Sequence, residues 1–334
     1  MNPWLQLGPD TAEGRLLRGA WQPVYRDIDL APGQVVRVRV AGQSFTLFRG
    51  TEGPRLVQDR CPHRGTLLGV GRVEGDTLVC AHHGWCWRGD GSPGPAHAAQ
   101  GAALARSFPI RVELGLVFAW LGEGQPATFP VLPPGPWTAM PPNRWPCSYG
   151  RRLENSVDLA HVPHSHRTSG VGAGFEPDLR GTATRIPGGL EVRTGDLPPV
   201  RFYPPNLLQF QSPAGEGWAD HLVWRVPEDV DCCRSFMVAR ADLPVVAQAR
   251  PFQATRVEQL GEQVLSGERT LAELASEPSL TEVEDYVVLV GQGGLAGQAP
   301  EALGVADEPV RALRRLFCGA RDSPLGPVHI EPLA

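Results

Sequence analysis

The sequence predicts an α+β protein in which a small β-domain precedes a mixed domain of antiparallel strands and helices. Short strands separated by Gly-rich turns fill the first part of the chain, and helix signals appear only after a Pro-rich stretch at 129–146. With 334 residues, 42% of them hydrophobic and 20% charged, the chain is long enough to pack two globular domains. We therefore predict domains over 17–125 and 126–334.

The strands of the first domain are predicted from alternation and from short apolar runs. QVVRVRVAG at 34–42 alternates apolar and polar side chains, and SFTLFRG at 44–50 follows after a short turn. DTLVCAHHGW at 76–85 and LGLVFAWLG at 114–122 predict two further strands. Several short strands with few helix signals are typical of a small β-domain.

The second domain begins with a predicted helix at 151–161, RRLENSVDLAH, which should end near Pro163 because proline disrupts helical hydrogen bonding. Four strand patterns follow, at 189–195, 207–212, 221–226 and 234–241. This order of elements predicts an antiparallel sheet covered by helices.

Three helix signals close the chain. One helix is predicted at about 252–265, extended by TLAEL at 270–274. Thr281 and Glu284 have the spacing of a capping box, in which Thr caps the helix and Glu bonds back to the cap. Asp307-Glu308-Pro309 opens a final helix with an acidic cap and an early proline.

Two cysteine-histidine pairs lie in the first domain. Cys61 and His63 have the spacing C-x-H, and Cys80 and His83 have the spacing C-x-x-H. Two thiolates can hold one iron of a [2Fe–2S] cluster while two imidazoles hold the other. The same four residues would also suit a tetrahedral zinc ion, which is the alternative reading. The spacing selects His83 rather than His82.

A second constellation of possible metal ligands lies at 154–166. Asp158 and His161 are three residues apart, so on a helix they share one face. Pro163 should break that helix and bring a second histidine back toward the first. Two imidazoles and a carboxylate form the facial triad of mononuclear non-haem Fe(II) sites, which leaves positions open for O₂.

Together the two motifs resemble those of the Rieske non-haem iron oxygenases. The resemblance is to terminal oxygenases such as vanillate and dicamba O-demethylases and phthalate dioxygenases, and it runs from about Trp21 to the last helix. The cluster motif C-P-H-R-G…C-x-x-H-G-W falls on Cys61, His63, Cys80 and His83. The iron motif N-x-x-D-x-x-H-x-x-x-x-H falls on Asn155, Asp158, His161 and His166, which leaves His164 as a bystander.

The resemblance implies a third iron ligand on a late helix. The family pattern E-D-x-x-(V/I)-L-x-x-Q matches the sequence at 284–292 and implies Asp285. Glu282 and Glu284 are nearby competitors, and Asp285 could instead serve only to complement the helix N-terminus. We prefer Asp285, because the capping box explains Glu284.

The family also implies an assembly and a role for Asp158. In head-to-tail homotrimers the matching aspartate lies between an iron-ligating histidine and a cluster histidine of the next subunit. Transferred to this sequence, Asp158 would hydrogen-bond both His161 and the partner subunit's His83. The two further cysteines that clamp the cluster loops in respiratory Rieske proteins are replaced by Thr66 and His82.

The implied architecture is an N-terminal Rieske-type β-domain and a catalytic domain of helix-grip (START/Bet v 1-like) type. The implied activity is hydroxylation or oxidative demethylation of an aromatic or polycyclic small molecule, with a role in secondary metabolism as one hypothesis. The cofactors would be a [2Fe–2S] cluster and mononuclear Fe(II), with O₂ as cosubstrate. The alternative is a Rieske-type electron-transfer protein whose second domain is non-catalytic.

The implied electron source is a separate NAD(P)H-dependent reductase, with or without a ferredoxin, because the chain has no Gly-rich dinucleotide fingerprint of its own. The substrate pocket is expected among residues of the second domain that combine an apolar surface with a polar handle. The candidates are Phe202, Tyr203, Phe210, Trp218, His221 and Trp224. Ordinary packing in the sheet core is the alternative for each of them.

Composition excludes several other classes of function. The net charge is −5 and no basic run is interleaved with aromatics, so we expect no nucleic-acid binding. All 31 basic residues are arginine, which rules out Schiff-base chemistry on lysine. No apolar run approaches the roughly 18 residues of a membrane span. The odd count of seven cysteines favours a reducing cytoplasm, and Cys86 is expected to be buried.

Overall fold

The computed structural model describes residues 4, 6–98, 101–176, 179–214, 217–240, 254–295, 301–321 and 328–333. The chain divides into two compact units, which are Leu17–Ala127 and the combination of Met1–Leu16 with Thr128–Ala334. The domain prediction left the first sixteen residues unassigned, and the structure places them with the second unit.

The first unit consists of small antiparallel sheets, as the strand patterns predict. The strand orders are β1-β10-β9, β2-β3-β4-β8 and β5-β6-β7. The described elements are α1 (Ala12–Arg18, which begins in the second unit), β1 (Gln22–Arg26), β2 (Val35–Val40), β3 (Gln43–Gly50), β4 (Gly53–Gln58), β5 (Arg72–Glu74), β6 (Thr77–Val79), β7 (Cys86–Arg88), α2 (Pro95–Ala98), β8 (Ser107–Phe108), β9 (Ile110–Glu113) and β10 (Leu116–Ala119). The strand predicted over 76–85 is shorter than expected: β6 ends at Val79, and residues 80–85 form a tight loop that leads into β7.

The second unit is built on an eight-stranded antiparallel sheet of order β11-β18-β17-β16-β15-β14-β13, in which β12 also pairs with β18. All four predicted strands of this domain are present. The described elements are β11 (Trp137–Ala139), β12 (Asn143–Trp145), α3 (Tyr149–Val157), α4 (Val162–Ser165), β13 (Gly181–Ile186), β14 (Gly189–Thr194), β15 (Val200–Tyr203), β16 (Leu207–Ala214), β17 (Gly217–Asp229), β18 (Cys232–Arg240), α5 (Ala254–Leu265), α6 (Leu280–Val290) and α7 (Glu308–Ala320).

The helix predicted at 151–161 ends earlier than expected, and Pro163 does not end it. The last helical residue of α3 is Val157, and the Asp158 side chain accepts the backbone N–H of Ala160 at 3.2 Å. This bond starts a 3-10 turn at Leu159–His161. Pro163 then lies in the first turn of α4, where its missing N–H breaks no helical bond. The proline therefore helps to start a helix.

Two expectations about the later helices are wrong. Helix α5 ends at Leu265, and Gly267 has a left-handed φ of 78°, so TLAEL does not extend the helix but forms a 3-10 turn at Ala272–Leu274. Helix α6 begins at Leu280 with Ser279 as its cap, so Thr281 lies inside the helix and forms no capping box. The final helix begins after Asp307 with Pro309 in its first turn, as predicted.

Helix α3 packs on the sheet through polar side chains. Ser235 of β18 lies directly opposite Arg225 of β17 in the strand register. The Ser235 hydroxyl accepts hydrogen bonds from Arg152 Nη1 of α3 at 2.6 Å and from Arg225 Nη1 at 2.8 Å. These bonds fix the helix that leads into the 158–166 segment. Among the described residues, no helix combines the length and apolar character that crossing a membrane requires.

Candidate metal centres

The two cysteine-histidine loops of the first unit have the same backbone geometry. Cys61 N–H donates to the carbonyl of Thr66 at 2.8 Å, and Gly65 N–H donates back to the carbonyl of Cys61 at 2.9 Å. The second loop repeats both bonds, from Cys80 to the carbonyl five residues on at 2.8 Å and from Gly84 to Cys80 at 3.1 Å. Both glycines have φ near +75°, which a residue with a Cβ rarely adopts.

The loops separate the thiols from the imidazoles. Cys61 and Cys80 are 3% and 2% exposed and lie in the core of the unit, where burial and the neighbouring Cys80 raise the pKa of the Cys61 thiol. His63 and His83 are exposed, with ring centroids 4.8 Å apart. The sulfurs therefore meet on the buried side and the imidazoles on the exposed side.

This separation argues against a single zinc ion. A tetrahedral zinc site brings four donor atoms within about 4 Å of one another. In the described part of the chain, the group of three or more His, Cys, Asp or Glu residues whose ligand atoms converge is His161, His166 and Asp285, which contains neither cysteine. A cluster with two irons, one for the thiols and one for the imidazoles, fits the two pairs.

Aromatic and polar side chains surround the loops. The Trp85 ring stacks on His63 at 4.0 Å between centroids and on His97 at 5.2 Å. Cys86 is only half-buried, contrary to expectation, and its Sγ lies 3.5 Å from His97 Nδ1. The two loops are joined by a hydrogen bond between Thr66 Oγ1 and His82 Nδ1 at 3.0 Å, at the positions where a clamping disulfide is absent.

The second unit brings His161, His166 and Asp285 together, and their ligand atoms all lie within 4.8 Å of one another. His161 ends the 3-10 turn after α3, His166 follows α4 directly, and Asp285 lies in α6. Asp285 Oδ1 is 3.6 Å from His161 Nε2 and 3.4 Å from His166 Nε2. Two neutral imidazoles and a carboxylate in this arrangement are a donor set that suits a divalent iron.

The Nδ1 atom of each imidazole, on the side of the ring away from Asp285, also has a partner. His161 Nδ1 contacts the backbone carbonyl of Asp158, and His166 Nδ1 lies 3.1 Å from Glu284 Oε2. In both residues Nδ1 is therefore engaged, which leaves Nε2 to face Asp285. His161 contacts the backbone carbonyl of Asp158, whereas the family resemblance implied a hydrogen bond to the Asp158 carboxylate.

The carboxylates and imidazoles of the group stabilise each other's charged forms. Burial alone would raise the pKa of Asp285, but the hydrogen bonds and charges of His161 and His166 hold it well below its usual range. Burial lowers the pKa of His166, yet the neighbouring carboxylates of Asp285 and Glu284 raise it above the usual value. Asn155 Nδ2 donates to Asp285 Oδ1 at 3.1 Å and so orients the carboxylate.

The competing glutamates occupy other positions. Glu284 is fully buried and its carboxylate faces the residues that follow His166. Glu282 is not part of the three-residue group, and burial raises its pKa. Sequence reasoning assigned Glu284 to a capping box and so missed its contact with His166.

A half-buried arginine behind the site was also missed. Arg225 bonds Ser235 and reaches Ser156 Oγ of α3 at 3.4 Å, and burial lowers its pKa to about 9. Its signal in the sequence is a single arginine inside the apolar run HLVWRV. A charged side chain within an apolar strand needs polar partners, so an arginine in this pattern indicates polar contacts inside the domain.

The predicted pocket residues have different environments. Phe202, Tyr203 and Trp224 are buried in the sheet, whereas Trp218 is 42% exposed. His221 is buried, bonds Ser212 Oγ through Nε2 at 2.7 Å, and stacks on the Phe210 ring. The burial of Phe202, Tyr203 and Trp224 is therefore that expected of residues in the sheet core.

Comparison with known proteins agrees with this description. A family model for the Rieske [2Fe-2S] domain matches residues 20–109. The 5,5'-dehydrodivanillate O-demethylase oxygenase subunit of Sphingobium sp. is 24% identical over 346 residues, which cover 93% of this chain and 77% of the relative.

Two solved structures are similar over nearly their whole length. NdmA of Pseudomonas putida CBB5 aligns with a TM-score of 0.68 at 19% identity and covers 93% of each chain. The reduced complex between oxygenase and ferredoxin in carbazole 1,9a-dioxygenase aligns with a TM-score of 0.67 at 18% identity, over 97% of this chain and 92% of that one. At these identities the structures show a shared fold.

Proposed function

We propose that this chain, which belongs to the Rieske-type oxygenases by its [2Fe–2S] domain and its relatives, is the terminal oxygenase of a multicomponent system. It is an oxidoreductase that uses a [2Fe–2S] cluster, a mononuclear iron and O₂. The observation that carries the proposal is the convergence of His161, His166 and Asp285. An electron carrier whose second domain is non-catalytic would not need these three side chains to converge.

The residues present fit both groups. Cys61 and Cys80 would hold one iron of the cluster, and His63 and His83 would hold the other. The buried thiols and exposed imidazoles support this assignment.

For the mononuclear iron the donors would be Nε2 of His161, Nε2 of His166 and the carboxylate of Asp285. The distances from Asp285 Oδ1 to both imidazoles support Asp285 over Glu282 and Glu284.

When bound, the cluster supplies single electrons and the mononuclear iron supplies the activation of O₂. The protein's contribution is to hold the donors in place. The carbonyl of Asp158 orients the His161 ring, and Asn155 orients the carboxylate of Asp285. Such contacts from residues outside the donor set constrain the orientation of the donors.

The electrons would come from NAD(P)H through a separate reductase, with or without a ferredoxin. A neighbour of the same fold is an oxygenase in complex with ferredoxin, which supports this kind of partner. His63 and His83 offer exposed edges of the proposed cluster to such a protein.

The proposed substrate is an aromatic or polycyclic small molecule, which would be hydroxylated or oxidatively demethylated. The support is the relative that is named as the oxygenase subunit of a dehydrodivanillate O-demethylase. None of the seven cysteines, all of which are described, forms a disulfide, and this supports a reducing compartment such as the cytoplasm.

We further propose a homotrimer in which Asp158 lies between His161 and the partner subunit's His83. This part rests on the family resemblance. It predicts that subunits with different defects complement each other. Mixed trimers of a His161→Ala chain and a His83→Ala chain should recover part of the turnover that neither chain shows alone. If refolded or co-expressed mixtures stay inactive while forming mixed trimers, electron transfer between subunits is refuted.

Iron and sulfide analysis with EPR tests the proposed function directly. The oxygenase should contain about three irons and about two acid-labile sulfides per chain, and the reduced protein should give a Rieske-type signal. His161→Ala should lower the iron content to about two and keep that signal. His164→Ala, which changes a neighbouring histidine outside the triad, should keep about three irons. A wild-type content of two irons would support the electron carrier instead.

A further inference from the structure

Glu284 is a fully buried carboxylate next to the proposed iron ligand Asp285. It accepts hydrogen bonds from the backbone N–H groups of Thr168 and Ser169 through Oε1, both at 3.0 Å. Its other oxygen, Oε2, lies 3.1 Å from His166 Nδ1. One side chain of α6 therefore holds both an imidazole and the loop that follows it.

This arrangement determines which nitrogen of His166 carries the proton. An ionised carboxylate can only accept hydrogen bonds, so the proton of a neutral His166 resides on Nδ1. The lone pair is then on Nε2, the atom that lies 3.4 Å from Asp285 Oδ1. An imidazole that donates its Nδ1–H to a carboxylate also becomes a stronger ligand for a metal at Nε2.

The same bonds fix the position of the ring. The 166–169 loop is closed by Ser169 Oγ, which donates to the carbonyl of His166 at 3.2 Å, and by Gly172 N–H, which donates to the same carbonyl at 2.9 Å. Glu284 connects this closed loop to α6. Since Asp285 is the next residue on that helix, two of the three proposed ligands are positioned through one contact.

We propose that Glu284 is a positioning residue for the mononuclear iron, which sets the tautomer of His166 and keeps its Nε2 directed at the metal. The inference rests on the proposed function, because it requires a metal at the triad. His161 has only a backbone carbonyl on its Nδ1, so the two imidazoles are held in different ways.

Glu284→Gln tests the tautomer specifically. The amide keeps the size of the side chain, and its oxygen can still accept from Thr168 and Ser169. Its NH₂ group, however, would donate to His166 Nδ1 and move the ring proton to Nε2. The proton must then be displaced before a metal binds.

The measurement uses the full-length protein with its cluster intact and the mononuclear site emptied by a chelator. Co²⁺ is titrated into this site and followed by its visible absorption, with the EPR signal of the reduced cluster as an internal reference. We expect the Glu284→Gln variant to bind Co²⁺ about 10- to 100-fold more weakly, with an unchanged cluster signal.

Glu228→Gln is the matched control, because Glu228 is also a buried carboxylate but bonds Arg144 and Arg234 instead. It should destabilise the fold and leave Co²⁺ affinity at the wild-type value. Equal Co²⁺ affinity in wild type and Glu284→Gln would overturn the inference while leaving the proposed function intact. Equal weakening in both variants would reduce Glu284 to a general structural role. A wild-type protein that binds no metal at the mononuclear site, in addition to its cluster, would overturn both proposals.

Discussion

His221 makes the stability of the second unit sensitive to mild acid. The ring is 9% exposed and stacks on Phe210, and its Nδ1 has no hydrogen-bond partner among the described residues. Burial lowers the pKa of His221 to about 4, although the negative charge of Asp220 opposes the shift. In the unfolded chain the pKa of the same group is about 6.5.

The sign of the effect follows from these two values. Between pH 6.5 and pH 4 the unfolded chain binds a proton that the folded chain does not, so the free energy of unfolding decreases as the pH falls. Each pH unit costs about 1.4 kcal/mol, and the loss between pH 6.5 and pH 5 is therefore about 2 kcal/mol. Above pH 6.5 this contribution is fully present.

Urea unfolding followed by circular dichroism at pH 7.5 and pH 5.0 measures this loss. His221→Gln retains a polar partner for Ser212 but cannot titrate, so the variant should lose about 2 kcal/mol less than wild type over the same interval. The difference between the two proteins removes the contribution of other acidic groups. If both proteins show the same dependence on pH, His221 is not the buried neutral group that the reasoning requires.

Three further predictions concern packing and buried polar contacts. Gly94→Ala should destabilise the first unit by about 1–3 kcal/mol, because the added Cβ would come within 2.3 Å of Cys86 Sγ. Thermal bleaching of the cluster measures this loss. A Gly94→Ala, Cys86→Ala double variant that does not regain stability would contradict the prediction. Asp59→Ala should lower the free energy of unfolding by about 2 kcal/mol, because it removes the acceptor of hydrogen bonds from Thr46 Oγ1 and Arg37 Nε. An unchanged urea midpoint for cluster loss would refute this prediction. Trp4→Ala should lower the free energy of unfolding by about 3–5 kcal/mol, because the Trp4 ring is fully buried and its centroid lies 4.5 Å from that of Phe317. Calorimetry should show this loss in the second unit. A loss confined to the cluster unit would be inconsistent with the prediction.

Much of the fold could be predicted because its signals are local. Alternation along β2 and apolar runs such as the one in β10 depend only on neighbouring residues. The spacing within each cysteine-histidine pair is local in the same way. The structure brings His161 and His166 together across one short turn, which sequence spacing also suggests.

The rest depends on contacts between distant segments. Glu284 fits a capping box in sequence, but its partners lie more than a hundred residues earlier, at His166, Thr168 and Ser169. Pro163 was expected to end a helix, and only the turn at Leu159–His161 explains why it starts one. No local pattern could reveal that Trp4 donates to Glu154 at 2.7 Å.

The chain enters and leaves the second unit in an unusual order. Residues Met1–Leu16 belong to that unit, the cluster-bearing segment Leu17–Ala127 follows, and the chain then returns for Thr128–Ala334. In topological terms the cluster unit is an insertion, attached at both ends to the unit that contains the triad. Deleting the first residues would therefore damage the unit that contains His161, His166 and Asp285, although that triad lies farther along the chain. An intact cluster-bearing fragment would instead be the internal segment Leu17–Ala127, produced without the residues on either side of it.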